Sequence, residues 1–145
     1  MAVLSPSLWS FGFHGPRPLR ECIQRREWTM FGHVEAWGWI GEIVLFFDPS
    51  ARGSSVLLAH GDEALDLVAA KYAVCRSVIR IRAPEHRIAI PLHPTMNCAA
   101  QCAHLIGQRA YTPGGLRRIL LREGGEETRH AVQSGARDPH AEGSA

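Results

Sequence analysis

The chain has 145 residues, with 16 Lys and Arg against 14 Asp and Glu, 46% hydrophobic residues and 21% charged ones. This length suits one domain with a single core, and the apolar fraction excludes a wholly disordered protein. The longest apolar run, residues 43–47, has five residues, whereas a membrane-spanning helix needs about 20. The N-terminal residues lack the basic segment and apolar stretch of a secretory signal. We therefore expect a cytoplasmic protein without membrane contact.

The charge is nearly balanced overall but differs between the two ends of the chain. Residues 1–28 carry a net charge of +2, and residues 122–145 carry a net charge of −2. Arg76, Arg80 and Arg82 could form a basic stripe, but no aromatic residues alternate with them as they do on many nucleic-acid-binding surfaces. Nucleic acid is therefore not an expected partner.

The first half of the sequence predicts an irregular arm followed by a hairpin. Residues 1–28 are expected to be loosely structured, because proline and glycine interrupt them repeatedly. Apolar and polar residues alternate over residues 28–37, which predicts a strand. Residues 43–48 predict a second, more buried strand that ends before Pro49. The loop between them is predicted to contain about six residues.

Between the hairpin and residue 82, the sequence predicts a strand, a helix and another strand. Residues 56–60 form a short apolar segment that favours a strand. Residues 61–72 predict a helix, with two acids in the first turn where the helix dipole favours them. Residues 74–82 end in an alternation of apolar and arginine residues, which is typical of a strand with one solvent-exposed face.

Two further helices are predicted from their N-cap signals. Asn97 precedes Cys98 and is expected to cap a short helix that stops at Gly107. Thr112, followed by Pro113 at the first helical position, predicts a second helix.

The predicted organisation is a single α+β domain between two poorly structured ends. The domain covers residues 29–123, and in it a small antiparallel sheet packs on the helix that begins at Cys98. Residues 1–28 form the arm. Residues 124–145 are expected to be a disordered tail, because they contain too few apolar residues to form a core.

The four cysteines, at positions 22, 75, 98 and 102, form neither a CxxC pair nor a disulfide-rich pattern. Reduced thiols are therefore expected. Cys98 is the candidate nucleophile, because the dipole and free N–H groups at a helix start lower the pKa of a thiol. The same N–H groups can stabilise the oxyanion formed when a thiolate attacks a carbonyl. Cys102, one turn later among small apolar residues, is expected to be a buried structural residue.

A nucleophilic cysteine needs a base, and the base needs a residue that orients it. His33 lies inside the first hairpin strand, where a polar residue among aromatic neighbours requires a reason. If residue 33 pairs with residue 48, His33 and Asp48 are cross-strand neighbours on one face of the sheet. Glu35, two residues along on that face, is the substitute partner, because a one-residue slip in register would turn Asp48 away.

The order and spacing of these residues resemble the circularly permuted branch of the NlpC/P60 papain-like superfamily. This branch includes lecithin retinol acyltransferase-like proteins and bacterial and phage permuted amidase-like proteins. The matching stretches, within about residues 29–121, are residues 31–37, 46–49, 97–107 and 111–116. The resemblance implies a permuted papain-like fold in which Cys98 is the nucleophile, His33 the base and Asp48 the third catalytic residue.

The resemblance further implies a cysteine hydrolase that cleaves an amide bond in a peptide or peptidoglycan-type substrate through an acyl-enzyme. It implies no cofactor and no metal. Two departures argue against a lipid acyltransferase and leave the substrate open. The lecithin retinol acyltransferase-like members usually have a second histidine where this chain has Asp48. They also carry an apolar membrane-anchoring tail, whereas residues 124–145 are polar.

Two other kinds of function stay open at the level of the sequence. Cys98 and Cys102 lie four residues apart on one helix face with His93 before them, which suggests a zinc site, although structural zinc sites usually recruit four ligands in tighter pairs. Alternatively, the fold serves as a non-catalytic scaffold or as a phage or bacterial assembly protein. In that case residues 1–28 or 124–145 would become ordered on a protein partner.

Overall fold

A six-stranded antiparallel sheet with three helices forms the described part of the chain. The structure, a computed structural model, describes residues 5–15, 31–50, 53–84 and 97–130. The strands are β1 (Leu8–His14), β2 (His33–Ile40), β3 (Ile43–Ser50), β4 (Gly53–His60), β5 (Ser77–Arg82) and β6 (Glu126–His130), and the helices are α1 (Gly61–Val74), α2 (Cys98–His104) and α3 (Pro113–Arg122). The strands lie in the order β4-β3-β2-β1-β5-β6, so the expected α+β class with an antiparallel sheet is confirmed.

The sheet separates two apolar layers, because successive side chains of a strand point to opposite faces. On one face, Trp9, Phe11 and Phe13 of β1 pack with buried residues of α2 and α3. On the other face, Trp37 and Phe46 belong to a second cluster that packs against α1. The helices therefore cover both faces of one sheet.

The prediction of an irregular N-terminal arm is wrong for residues 8–14. They form β1, which pairs with β2 on one side and with β5 on the other. Three aromatic residues alternate with small or polar ones here, and Phe11 and Phe13 are fully buried. This period of two is a strand signal, but the neighbouring proline and glycine residues outweighed it in the prediction. Residues 16–28 of the expected arm lie outside the described residues.

The predicted boundary at residue 124 is also wrong, because β6 extends the sheet beside β5. A strand pairs through its backbone, so polar side chains do not prevent it from joining a sheet. The Arg117 side chain donates a hydrogen bond from Nη2 to Glu127 Oε1 at 2.8 Å, and Thr128 donates to the carbonyl of Val78 at 3.3 Å. The folded unit therefore extends from β1 to β6, and residues 131–145 lie outside the described residues.

The hairpin of β2 and β3 is present, but its turn contains two residues instead of about six. Gly41 lies in the turn with φ of 60°, a left-handed conformation that two-residue hairpin turns require. Trp37 pairs with Phe46, whereas the predicted register paired it with Val44. Because the shift is two residues, each side chain stays on its predicted face.

Both predicted N-caps are confirmed. The Asn97 side chain accepts a hydrogen bond from the backbone N–H of Ala100 at 2.9 Å. Thr112 Oγ1 accepts one from the N–H of Gly115 at 3.0 Å, and Pro113 opens α3. These bonds satisfy N–H groups that have no partner inside their helices.

Gly12→Ala is expected to destabilise the protein. A Cβ at residue 12 would lie 2.5 Å from Cys75 Sγ and 2.7 Å from Cζ3 of Trp37, and such overpacking costs about 1–3 kcal/mol of the free energy of unfolding. Gly114→Ala on α3, where an added Cβ meets nothing within 4 Å, is the matched control. Denaturant unfolding measures both changes, and equal stability of the two variants would contradict the close packing at Gly12.

Candidate active site

Cys98 is positioned by the side chain of Asn97, which makes two hydrogen bonds. Besides capping α2, Asn97 donates from Nδ2 to the backbone carbonyl of Tyr111 at 2.7 Å. The residue before the cysteine is thereby tied to the segment that precedes α3. Cys98 is partly exposed, while Ala99 and Ala100 are buried, so the helix is anchored by its core face and its first thiol stays within reach of solvent.

His33, the first residue of β2, contacts Asp48 of β3 as predicted. His33 Nε2 lies 2.7 Å from Asp48 Oδ1. When the observed register is extended, residue 33 lies opposite residue 50, so the two side chains are diagonal neighbours on one face instead of direct partners. The carboxylate takes Nε2 and leaves Nδ1 of the ring for another partner.

The thiol of Cys98 also interacts with His33, and this interaction shifts the pKa values of both groups. Burial raises the pKa of the Cys98 thiol. The interactions with His33 and with the backbone of Val34 and Ala99 lower this pKa by more than burial raises it, so the net shift is downward. The pKa of His33 is raised, chiefly by the interaction with Cys98, against the effect of burial and with a further contribution from Asp48. Both shifts favour a thiolate beside an imidazolium.

Cys102 lies only one turn after Cys98 on α2, but it differs from Cys98 in solvent exposure, in its partner and in the direction of its pKa shift. It is fully buried, and its Sγ lies 3.8 Å from the carbonyl oxygen of Val34, to which it donates. Burial raises the pKa of its thiol well above the ordinary value. The expectation that Cys102 is a buried structural residue is confirmed.

The tip of the β3–β4 hairpin is hydrogen-bonded to α2, the helix that begins at Cys98. Ser54 Oγ donates to Gln101 Oε1 at 2.6 Å, and Gln101 Nε2 donates to the carbonyl of Ser50 at 3.4 Å. An open depression of about 360 Å³ lies at this tip, and its lining includes, among the described residues, Asp48, Ser50, Gly53, Ser54 and Ser55. An open surface with several serine hydroxyl groups therefore adjoins Asp48.

Glu35, the substitute third residue, has other partners. Glu35 Oε1 lies 3.0 Å from His14 Nε2, and Oε2 accepts a hydrogen bond from Lys71 Nζ at 2.6 Å. Burial raises the pKa of the Glu35 carboxyl, but the bonds from His14 and Lys71 lower it by more. The structure therefore assigns Asp48, and not Glu35, as the partner of His33.

His14 belongs to a second group of polar side chains that the sequence did not predict. Its Nε2 lies 3.8 Å from Cys75 Sγ, and the rings of His14 and His33 are 5.5 Å apart. Hydrogen bonds with Cys75 and Glu35 raise the pKa of His14 to about 10, against the effect of burial. The aromatic alternation of residues 9–13 was the signal that could have placed His14 on a strand beside His33.

The zinc site considered from the sequence is not formed by the residues that the structure describes. Cys102 directs its thiol to a backbone carbonyl, Cys98 interacts with His33, and His93 lies outside the described residues. Within the described ranges, the one group of three side chains with converging metal-ligand atoms is His14, Glu35 and Cys75.

Comparisons with protein-family models, with curated proteins and with solved structures find no match. Among the described residues, no helix is both long and apolar enough to cross a bilayer. The function is therefore inferred from the geometry of the described side chains.

Cys98 is expected to react with iodoacetamide at lower pH and faster than Cys75 or Cys102, because the lowered pKa increases its thiolate fraction near neutral pH. His33→Ala removes the largest of the interactions that lower this pKa, so the rate at pH 7 should fall about 3–10-fold and its midpoint should move to higher pH. Mass spectrometry of tryptic peptides after short exposures, with fragmentation of the peptide 88–109 that contains both Cys98 and Cys102, measures each thiol separately. Equal rates for all thiols would contradict an activated Cys98.

Asp48→Asn is expected to lower the pKa of His33, because the substitution removes the carboxylate that stabilises the protonated ring. NMR titration of the His33 ring protons measures this pKa. Asp62→Asn is the control. Asp62 lies in the first turn of α1, and α1 begins at the end of strands β2, β3 and β4 that is far from His33 and Asp48. An unchanged His33 titration in Asp48→Asn would show that the contact has no electrostatic effect.

Proposed function

We propose that this protein is a cysteine hydrolase of the permuted papain-like, NlpC/P60-related type, which cleaves an amide bond through an acyl-enzyme. The observation that carries the proposal is that His33 interacts both with Asp48, at 2.7 Å, and with Cys98, whose thiol pKa it lowers. A nucleophile, a base and an orienting carboxylate in this order are the elements of a cysteine-peptidase site.

The arrangement of elements supports the same interpretation. The histidine lies on a strand of an antiparallel sheet and precedes the cysteine in the chain, and the cysteine opens a helix that packs on that sheet. This order, with the histidine before the cysteine, is the one that the permuted branch of the superfamily implies.

The proposed reaction begins with the thiolate of Cys98 attacking the carbonyl carbon of the scissile amide. A carbon–sulfur bond forms, and backbone N–H groups in the first turn of α2 stabilise the resulting oxyanion. The imidazolium of His33 then gives its proton to the amide nitrogen, the carbon–nitrogen bond breaks, and the amine leaves.

Hydrolysis of the thioester completes the cycle. The neutral His33 ring takes a proton from water, the hydroxide attacks the thioester carbonyl, and the carbon–sulfur bond breaks to release the acid and the Cys98 thiolate. Throughout the cycle Asp48 holds Nε2 of His33, which orients the ring and stabilises the imidazolium.

The depression beside Asp48 supports a polar substrate. Among the described residues its lining contains three serines and one carboxylate, so it offers hydrogen bonds to a peptide or a peptidoglycan-type stem peptide.

Cys98→Ala should abolish hydrolysis, and His33→Ala should reduce kcat/KM by about 10²–10⁴-fold, the usual contribution of a general base. Asp48→Asn should give a smaller loss, since Asp48 acts through His33. The assay uses p-nitrophenyl acetate to trap the acyl-enzyme by intact mass spectrometry, followed by peptide and peptidoglycan-type amides. Cys102→Ala, on the same helix but outside the site, should leave activity nearly unchanged.

Acylation of a residue other than Cys98, or equal turnover by Cys98→Ala and the wild-type protein, would overturn the proposal. Circular dichroism of each variant separates a loss of chemistry from a loss of structure.

The alternative function, a non-catalytic assembly protein, has one observation in its favour. Val56, Leu57 and Leu58 are consecutive on the outer strand β4 and are exposed by 62%, 48% and 61%. An exposed apolar outer strand is a common contact surface for another protein. An inactive protein in the assay above would leave this function as the better one.

A further inference from the structure

A second group of side chains is not used by the proposed reaction, and we call His14, Glu35 and Cys75 the buried cluster. It joins the end of β1, the middle of β2 and the residue that follows α1. The side chain of Glu35 is 4% exposed, Cys75 is 1% exposed, and the side chain of His14 is 28% exposed. Two of the three members are therefore nearly inaccessible, and the histidine is the one that meets solvent.

We propose that the buried cluster is a binding site for one Zn²⁺ ion, with His14 Nε2, Glu35 Oε1 and Cys75 Sγ as ligands. Water reaching the ion from the solvent-exposed side of His14 would be the fourth ligand. This inference does not rest on the proposed hydrolase function, and it uses a different cysteine from the zinc site considered from the sequence.

The distances within the buried cluster support tetrahedral coordination. With ordinary zinc–ligand bond lengths, tetrahedral nitrogen and oxygen ligands lie about 3.3 Å apart, and nitrogen and sulfur ligands lie about 3.6 Å apart. His14 Nε2 is 3.0 Å from Glu35 Oε1 and 3.8 Å from Cys75 Sγ, and all three atoms lie within 4.8 Å of one another. Small side-chain adjustments therefore suffice to place an ion between them.

The chemistry of the ligands favours zinc over magnesium or calcium. A thiolate and an imidazole are ligands of borderline and soft metals, whereas Mg²⁺ and Ca²⁺ prefer oxygen ligands alone. Three protein ligands with an open fourth position are the usual set of a zinc site that also binds water.

Surrounding residues hold the ligands in place. Lys71 Nζ bonds Glu35 Oε2 at 2.6 Å, so the carboxylate is fixed through one oxygen while the other is directed at His14 Nε2. The backbone N–H of Cys75 donates to the carbonyl of Lys71 at 3.0 Å, which fixes the thiol at the end of α1. Gly12 has no Cβ, and a Cβ there would occupy space that Cys75 Sγ takes.

Strand pairing brings the other two ligands together. His14 pairs with His33 and Gly12 pairs with Glu35, so His14 and Glu35 are diagonal neighbours on one face of adjacent strands. In metal sites, residues around the ligands hold them in orientation, and here the strand pairing orients two of the three ligands. The buried cluster is therefore organised by the sheet before any ion binds.

The test is a titration of the full-length protein, stripped of metal and kept reduced without competing thiols, with Co²⁺ as a spectroscopic substitute for Zn²⁺. We expect a thiolate-to-cobalt charge-transfer band and intense ligand-field bands that saturate at one equivalent and disappear when Zn²⁺ is added. Cys75→Ser should remove the charge-transfer band, while Cys98→Ser should retain it.

His14→Asn and Glu35→Gln keep the thiol and should still weaken Co²⁺ binding, so the proposal stays testable if Cys75→Ser does not fold. Absence of a charge-transfer band in the wild-type protein would overturn the proposal. A band that persists in Cys75→Ser, or that is lost in Cys98→Ser, would place the ion elsewhere and would also overturn it.

Discussion

The pairing of β1 with β2 is the constraint on which both groups of polar side chains depend. These strands lie in the interior of the sheet, and their register places His14 beside His33 and Gly12 beside Glu35. One face of the pair contributes apolar residues to the core under α2 and α3. The other face has Glu35 nearly buried, and its carboxylate is stabilised there because His14 and Lys71 bond it.

Solvent exposure separates the two cysteine–histidine pairs that result. Cys98 is partly exposed at the start of α2, where an external carbonyl can approach it, and its histidine is oriented by the exposed carboxylate of Asp48. Cys75 is covered by the sheet and α1, so a substrate carbonyl cannot reach it. The two cysteine–histidine pairs therefore differ in what their thiols can react with, because only the sulfur of Cys98 is accessible to an external substrate.

The predicted contact between His33 and Asp48 is present in spite of an incorrect register, because the side chains of a strand alternate between its two faces. Side chains alternate with a period of two, so the observed shift of two residues leaves His33 and Asp48 on one face and only converts direct partners into diagonal ones. A long imidazole ring spans that diagonal and reaches the carboxylate at 2.7 Å. A shift of one residue would have separated them, which is why Glu35 had to be kept as a substitute until the structure showed its contacts.

Local signals in the sequence determined the starts of α2 and α3, the hairpin of β2 and β3, the position of Cys98 at a helix start and the contact between His33 and Asp48. Each depends on residues that are close in the chain or on the periodicity of one element. Only the tertiary structure decided that residues 8–14 and 126–130 belong to the sheet and that Glu35 bonds His14 and Lys71. It also decided that Cys75 joins them. These contacts connect residues 21 to 61 positions apart, and no local pattern encodes them, because strand pairing across the sheet brings them together.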